Sequence, residues 1–271
     1  MTVSPTRSAT GLSVQRDGVR NVTRTLPEES PVAMVYDGST QAVMMATPAD
    51  IVDFAIGFTL TEGFAPLSEI GEVEVVEHPD GIEARLWLPE HRRAALAGRR
   101  RYMAGPVGCG LCGIDSLEAA IRDLPAVPEG PEFDAAEIAG ATDTLRSSQP
   151  LHDRTRSVHA AGFLQPGVGI VLAREDVGRH NALDKLVGAM ARAGLEPATG
   201  AIVLTSRVSV EMVQKTAMAG CPVLVAVSAP TAHALRLAEG AGLTLAAFAG
   251  GGGFDLYAHP RRIKTGAADV A

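Results

Sequence analysis

The sequence predicts a mixed α/β protein: a C-terminal helix-covered sheet with parallel strands, preceded by hairpins. Three observations carry this. The stretches Ile202 to Thr205, Val223 to Ser228 and Leu243 to Phe248 are continuous apolar runs, as in strands covered on both faces. Helical segments from Ser209 to Ala219 and Pro230 to Glu239 lie between them, and such alternation calls for crossover connections in a partly parallel sheet. Upstream of residue 125, apolar runs come instead in pairs around turn residues.

Taken in order, residues 1–18 read as a flexible N-terminus. Pro31 to Tyr36 and Gln41 to Ala46 flank Asp37-Gly38, a hairpin signal. Thr47-Pro48-Ala49-Asp50 then opens a helix, with Thr47 as N-cap and Pro48 at the first helical position. Phe54, Ala55, Phe58 and Leu60 give that helix an apolar face. Val73 to Glu77 and Ile82 to Leu88 form a second hairpin around His78-Pro79-Asp80-Gly81. A basic helix follows from Glu90 to Arg101, then a glycine-rich loop and a short helix from about Ser116 to Leu124.

Pro125, Pro128, Gly130 and Pro131 mark a connector and the one domain boundary. Beyond it come a polar helix from Asp134 to Ser147 and strands Val158 to Leu164 and Val168 to Leu172. Leu183, Leu186, Val187 and Met190 make a helical stripe, and Tyr257 sits on the last strand. The expected organisation is a flexible start (1–18), a β-rich N-terminal subdomain (19–124), an α/β core (134–263) and a flexible tail (264–271).

The chain has 271 residues, 46% hydrophobic and 20% charged, which is a globular composition with a sizeable core. Its net charge of −7 argues against general binding to nucleic-acid backbones. No apolar run approaches the roughly 20 residues that span a bilayer, and the N-terminus lacks the apolar centre of a secretory signal. Three cysteines, one of them distant, make no disulfide framework. The expectation is a cytoplasmic protein with reduced thiols.

Gly105-Pro106-Val107-Gly108-Cys109-Gly110-Leu111-Cys112-Gly113 is the stretch where chemistry concentrates. Arg99 to Arg101 precede it, and Asp115-Ser116-Leu117-Glu118 reads as a helix start just after it. Both surroundings favour thiolates at Cys109 and Cys112. The pair fits half a zinc site, a redox dithiol, a persulfide carrier or two structural cysteines. A closed zinc site needs four ligands, no second C-x-x-C exists, and Cys221 before Pro222 reads as core, so no metal site is expected. No histidine is followed by glutamate two residues on, which leaves the zinc deaminase signature unsupported.

Arg174 to Lys185 is dense in charge at a strand-to-helix junction. It reads either as a solvated helix start or as an anion site in which Arg179 and His180 meet a ligand at the helix N-terminus. Thr205-Ser206-Arg207 and Ser228-Ala229-Pro230-Thr231 repeat the arrangement at later strand ends. Gly250 to Gly253 would let phosphates approach backbone N–H groups, although a plain hairpin turn has the same composition. Neither a P-loop nor a dinucleotide fingerprint is present.

Together these stretches resemble the formate dehydrogenase accessory sulfurtransferase family (FdhD). The resemblance rests on Thr47-Pro48, Ile56-Gly57-Phe58, Glu62-Gly63, Gly108 to Gly113, His159-Ala160-Ala161, Glu175 to Lys185, Thr205-Ser206-Arg207 with Glu211 to Lys215, Ser228 to Thr231, Leu243-Thr244-Leu245 and Tyr257 to Pro260. It implies a three-layer α/β/α, cytidine deaminase-like mixed sheet without the deaminase zinc, preceded by a hairpin–helix subdomain, in a homodimer. It implies a sulfurtransferase that takes sulfur from a cysteine desulfurase onto the C-x-x-C pair, with Cys109 as carrier. The acceptor would be the molybdenum cofactor in its bis-molybdopterin guanine dinucleotide form, for formate dehydrogenase.

The implied cofactor-binding residues are Phe248, Ala249, Gly250, Gly251, Gly252 and Gly253, with Arg179, and GDP would mimic the nucleotide end. Relatives carry a basic residue in that segment and a T-G-x-x-H run. Here the segment has none, and the run is Thr155-Arg156-Ser157-Val158-His159, with Arg156 as a candidate replacement for the charge. The competing readings are a non-catalytic chaperone for the molybdenum cofactor and a metal-binding regulatory module.

Overall fold

The computed structural model describes residues 3–93, 96 and 124–266. The C-x-x-C loop with Cys109 and Cys112, most of the helices expected around it, and residues 267–271 lie outside them.

Alternation of side chains builds the smaller sheet. β3 (Ser30–Tyr36) and β4 (Ser39–Ala46) pair antiparallel around Asp37-Gly38, and β5 (Glu74–His78) pairs antiparallel with β6 (Gly81–Leu86). β3 and β6 run parallel, so the sheet order is β4-β3-β6-β5. The helix α1 (Ile51–Thr61) makes the crossover, and Phe54 and Phe58 bury one sheet face through Val32, Met34, Ile82 and Leu86.

The larger sheet is the helix-covered one that the apolar runs predict. Its order is β13-β12-β11-β10-β8-β9, formed by β8 (His159–Gln165), β9 (Gly169–Asp176), β10 (Ala201–Leu204), β11 (Val223–Ala226), β12 (Thr244–Gly250) and β13 (Gly253–Ala258). β10, β11 and β12 are parallel, and β8, β9 and β13 are antiparallel to their neighbours.

Alternate residues of these strands feed two separate cores. Ala160, Leu164, Val203, Val225 and Ala246 meet Ile138, Ala141 and Leu145 of α2 (Ala135–Arg146). Ala161, Phe163, Ile202, Leu224 and Leu245 meet α4 (Arg179–Ala193), α5 (Val210–Met218) and α6 (Ala232–Ala241) on the other face. The result is a three-layer α/β/α unit. The short α3 (Pro150–Thr155) leads into β8, and a two-stranded pair joins β7 (Phe133–Asp134) to β14 (Ile263–Lys264). Buried Arg262 donates to the carbonyls of Pro128, Glu129 and Gly242, which pins the proline-rich connector against the core.

Three sequence expectations change. Residues 1–18 hold a ten-residue strand, β1 (Thr6–Gln15), paired over its whole length with β2 (Gly18–Pro27). Lys264, placed in the flexible tail, pairs in β14. Thr47 does not cap α1, which starts three residues later behind Asp50 in a left-handed conformation (φ 54°). Thr47 is instead fully buried and ties the small sheet to the large one, as described next.

Candidate functional site

Because β10, β11 and β12 are parallel, their carboxyl ends share one edge of the sheet. β8 is antiparallel to β10 and β9 to β8, which brings the start of β8 and the end of β9 to the same edge. That edge therefore gathers His159, Asp176 to His180, Thr205 to Arg207, Ser228 to Thr231 and Phe248 to Gly253. Ligands of α/β sheets bind outside such an edge.

Much of the charge between Arg174 and Lys185 is consumed internally. Lys185 Nζ lies 2.6 Å from Asp176 Oδ2, with both side chains wholly buried. Lys185 also donates to the Thr47 carbonyl at 2.8 Å. Thr47 N–H donates back to Asp176 Oδ2 at 3.0 Å, and its hydroxyl accepts from Val177 N–H. The other Asp176 oxygen accepts from Gly178 N–H and the Asn181 amide, and Asn181 also reaches the Met45 carbonyl.

One turn along α4, Asp184 accepts from Lys215 at 2.9 Å and from the Thr61 hydroxyl at 2.6 Å, and Glu62 completes the set around Lys215. Burial opposes the Lys215 charge, but the Asp184 and Glu62 carboxylates outweigh it and raise its pKa. Glu175 accepts from the backbone N–H groups of Leu151 and His152 at the start of α3. The reading as a solvated helix start is thus corrected: these charges are buried and pair across elements.

What remains at the edge is a smaller cluster. Arg179 is the first residue of α4 and half-buried, and His180 Nε2 lies 2.7 Å from Glu211 Oε2 of α5. Burial pushes the Glu211 carboxyl up, but the adjacent His180 ring, Ser209 and the Arg179 charge outweigh it and hold it below the usual range. Its second oxygen, Oε1, is buried with no hydrogen-bond partner among the described residues. Burial and the Arg179 charge also hold the His159 imidazole below its ordinary pKa. Arg156 and Arg207 are exposed on the same edge.

The expected cofactor segment lies at the other end of this edge. Gly250 pairs with Gly253, so residues 248–253 form the end of β12 and a tight turn into β13. Phe248 is 48% exposed with a left-handed backbone (φ 53°), while Ala249 is buried and its carbonyl accepts from the Thr142 hydroxyl of α2. Nothing lies within 4 Å of where a side chain at Gly251 or Gly252 would begin, and both have positive φ. The turn is therefore open to a ligand and carries no charge of its own. β9 and β12 are four strand steps apart, so Arg179 and this turn stand roughly 19 Å apart at about 4.8 Å per step.

A family model described as FdhD/NarQ matches residues 27–264. The chain belongs to the FdhD/NarQ family. Among its relatives, a sulfur carrier protein FdhD of Agrobacterium fabrum is 52% identical over 242 residues, covering 89% of each chain. One from Brucella abortus is 50% identical over 254 residues, covering 93% of this chain and 94% of the relative. A solved structure described as a formate dehydrogenase accessory protein of Desulfotalea psychrophila superposes with a TM-score of 0.74. It is 22% identical and covers 96% of this chain and all of that one, so it shares the fold.

Within this FdhD/NarQ member, reading the sequence alone missed Thr47, Asn181, Glu211 and Thr61 as partners of the charged run. The available signal was Asp184 and Lys185 beside the stripe Leu183, Leu186, Val187 and Met190, where a charge is forced toward the core. A cavity of about 470 Å³ between the C-terminal ends of α1, α4 and α5 lies at the opposite edge of the sheet and is lined by none of Thr47, Thr61, Asn181, Asp184, Lys185 or Glu211. No described helix is long and apolar enough to cross a membrane.

Proposed function

We propose that this chain is a sulfur carrier that serves a formate dehydrogenase, with the cytoplasm as its compartment and a homodimer as its working form. The observation that carries this reading is half identity over nine-tenths of the chain to proteins named as sulfur carriers. The Cys109 thiolate attacks the outer sulfur of a desulfurase cysteine persulfide. The donor S–S bond breaks, the desulfurase leaves as thiolate, and Cys109 holds the persulfide. Attack of the Cys112 thiolate on Cys109 Sγ then forms the Cys109–Cys112 disulfide and expels the outer sulfur as hydrosulfide at the acceptor.

The acceptor in this reading is the molybdenum cofactor in its bis-molybdopterin guanine dinucleotide form. The carboxyl edge suits an elongated anionic molecule. Arg179 supplies positive charge at one end, with the His159 ring beside it as a hydrogen-bonding group, and the open backbone of Gly251 and Gly252 approaches phosphate oxygens at the other. The missing basic residue of the 248–253 segment is met by groups at the β8 and β9 end, where Arg156 also stands.

Intact mass after incubation with a desulfurase and cysteine tests the carrier step. The expected gain is about 32 Da, one sulfur atom, in the wild type and in Cys112→Ala. Cys109→Ala should gain nothing, and an adduct that survives the double substitution overturns the mechanism. Cys221 does not confuse the result: it is wholly buried, and burial pushes its pKa to about 12.

A further inference from the structure

Glu211 leaves one carboxylate oxygen unused in the middle of the carboxyl edge. It lies in the first turn of α5, whose start follows β10. β10 stands two strand steps from β12, about 10 Å at 4.8 Å per step, which sets Glu211 between Arg179 and the glycine turn. Its described partners meet one oxygen only. The His180 ring lies 2.7 Å from Oε2, and the Ser209 hydroxyl donates to the same atom at 3.3 Å. Oε1 is buried with no partner among the described residues, in a side chain of which the residue as a whole is 9% exposed.

A buried acceptor without a donor is costly, and such groups in folded proteins are rare enough to mark a place where something else supplies the donor. The last torsion of a glutamate is soft, so a small rotation turns Oε1 toward the open side of the edge. The neighbouring His180 ring and the Arg179 charge keep the carboxyl ionised to a lower pH than usual. A carboxylate only accepts, so it draws an N–H and repels the lone pair of a bare ring nitrogen. Guanine and pterin share a 2-amino-4-oxo ring, in which a ring N–H stands beside an exocyclic amine. Adenine has a bare nitrogen in place of that N–H, and hypoxanthine lacks the amine.

We propose that Glu211 Oε1 accepts the N–H edge of a 2-amino-4-oxo ring and so selects guanine or pterin over adenine at this edge. The proposal rests on the acceptor reading above and deepens it: Arg179 and the glycine turn meet phosphates, and Glu211 reads the ring. A buried polar group discriminates sharply because the wrong ring leaves it unpaired. His180 is a positioning residue, since its ring occupies Oε2 and leaves Oε1 to the ligand.

Calorimetric titration of the full chain at one ionic strength tests it, with two sets of ring ligands and one ligand without a ring. GDP is compared with IDP and ADP, and biopterin with lumazine, in which an oxo group replaces the amine. Pyrophosphate serves as the ligand without a ring. In the wild type, GDP or biopterin should bind at least about tenfold more tightly than its comparators, and the set that shows the preference identifies the ring as guanine or pterin. Glu211→Gln should lose the preference, because an amide can present a donor where the carboxylate presents only acceptors. Pyrophosphate should bind the variant and the wild type alike, which shows that the edge is still folded. A variant that keeps the preference overturns the proposal. So does a variant that loses pyrophosphate and ring ligands in equal proportion, which would make Glu211 a support of the fold alone. A wild type that binds pyrophosphate but prefers neither GDP nor biopterin also overturns it. A wild type that binds none of these ligands overturns the acceptor reading itself.

Discussion

Gly57 of α1 and Gly188 of α4 meet at a helix crossing where neither position has room for a single carbon. A Cβ on Gly57 would stand 1.7 Å from the Asp184 carbonyl oxygen, and one on Gly188 would stand 1.8 Å from that of Asp53. The close crossing brings Asp53 into contact with Arg174 and Arg192, and Thr61 into contact with Asp184 and Lys215. Gly188→Ala must push the helices apart and break those contacts. It should cost about 3 kcal/mol or more, read from urea or thermal unfolding, whereas Gly240→Ala on α6, with open space around it, should be close to neutral.

The buried pair Asp176–Lys185 is the second weak point. Lys185→Met leaves the Asp176 carboxylate in the core with hydrogen bonds from Thr47, Gly178 and Asn181 but no counter-charge. The expected loss is about 3–5 kcal/mol. Asp176→Asn/Lys185→Met should recover part of it, and a double variant as unstable as the single one would show that hydrogen-bond geometry, not charge, dominates.

Acid stability should report on Glu211. Its folded pKa is depressed, so the fold binds this proton less readily than the unfolded chain does. The stabilisation is present above the unfolded value of about 4.3 and is lost as pH falls through the lower folded value. Glu211→Gln should therefore flatten the acid limb of a stability–pH curve below about pH 4.5. An unchanged limb would mean that His180 does not hold the carboxylate.

Guanine nucleotide binding checks the glycine turn. GDP at about a hundredfold excess over its dissociation constant should add about 2.7 kcal/mol, or roughly 5–10 °C in melting temperature for a chain of this size. Gly252→Val cannot easily adopt φ +85° and places a branched side chain where a ligand would approach, so it should reduce the shift. Arg179→Gln should reduce it less, because Arg179 stands at the far end of the edge. Undiminished binding in Gly252→Val would move the nucleotide elsewhere.

By itself the sequence determined the elements whose signals are local. The apolar runs at Ile202, Val223 and Leu243, the Asp37-Gly38 turn and the stripe on α4 each report burial through periodicity, and all are found. The helix expected from Pro230 begins instead behind Thr231, which caps α6 by accepting from Ala234 N–H. The arm β1–β2 was not legible, because Thr, Ser and Arg dominate it and a strand without a core-facing side shows no alternation. Tertiary structure decided which distant residues meet: Thr47 with Asp176 and Lys185, Asp184 with Lys215, Gly57 with Gly188. Periodicity says which face of a helix is buried but not what lies against it. The order β13-β12-β11-β10-β8-β9 arises only when the chain closes, and that order sets His159, Arg179 and the Gly250–Gly253 turn along one edge.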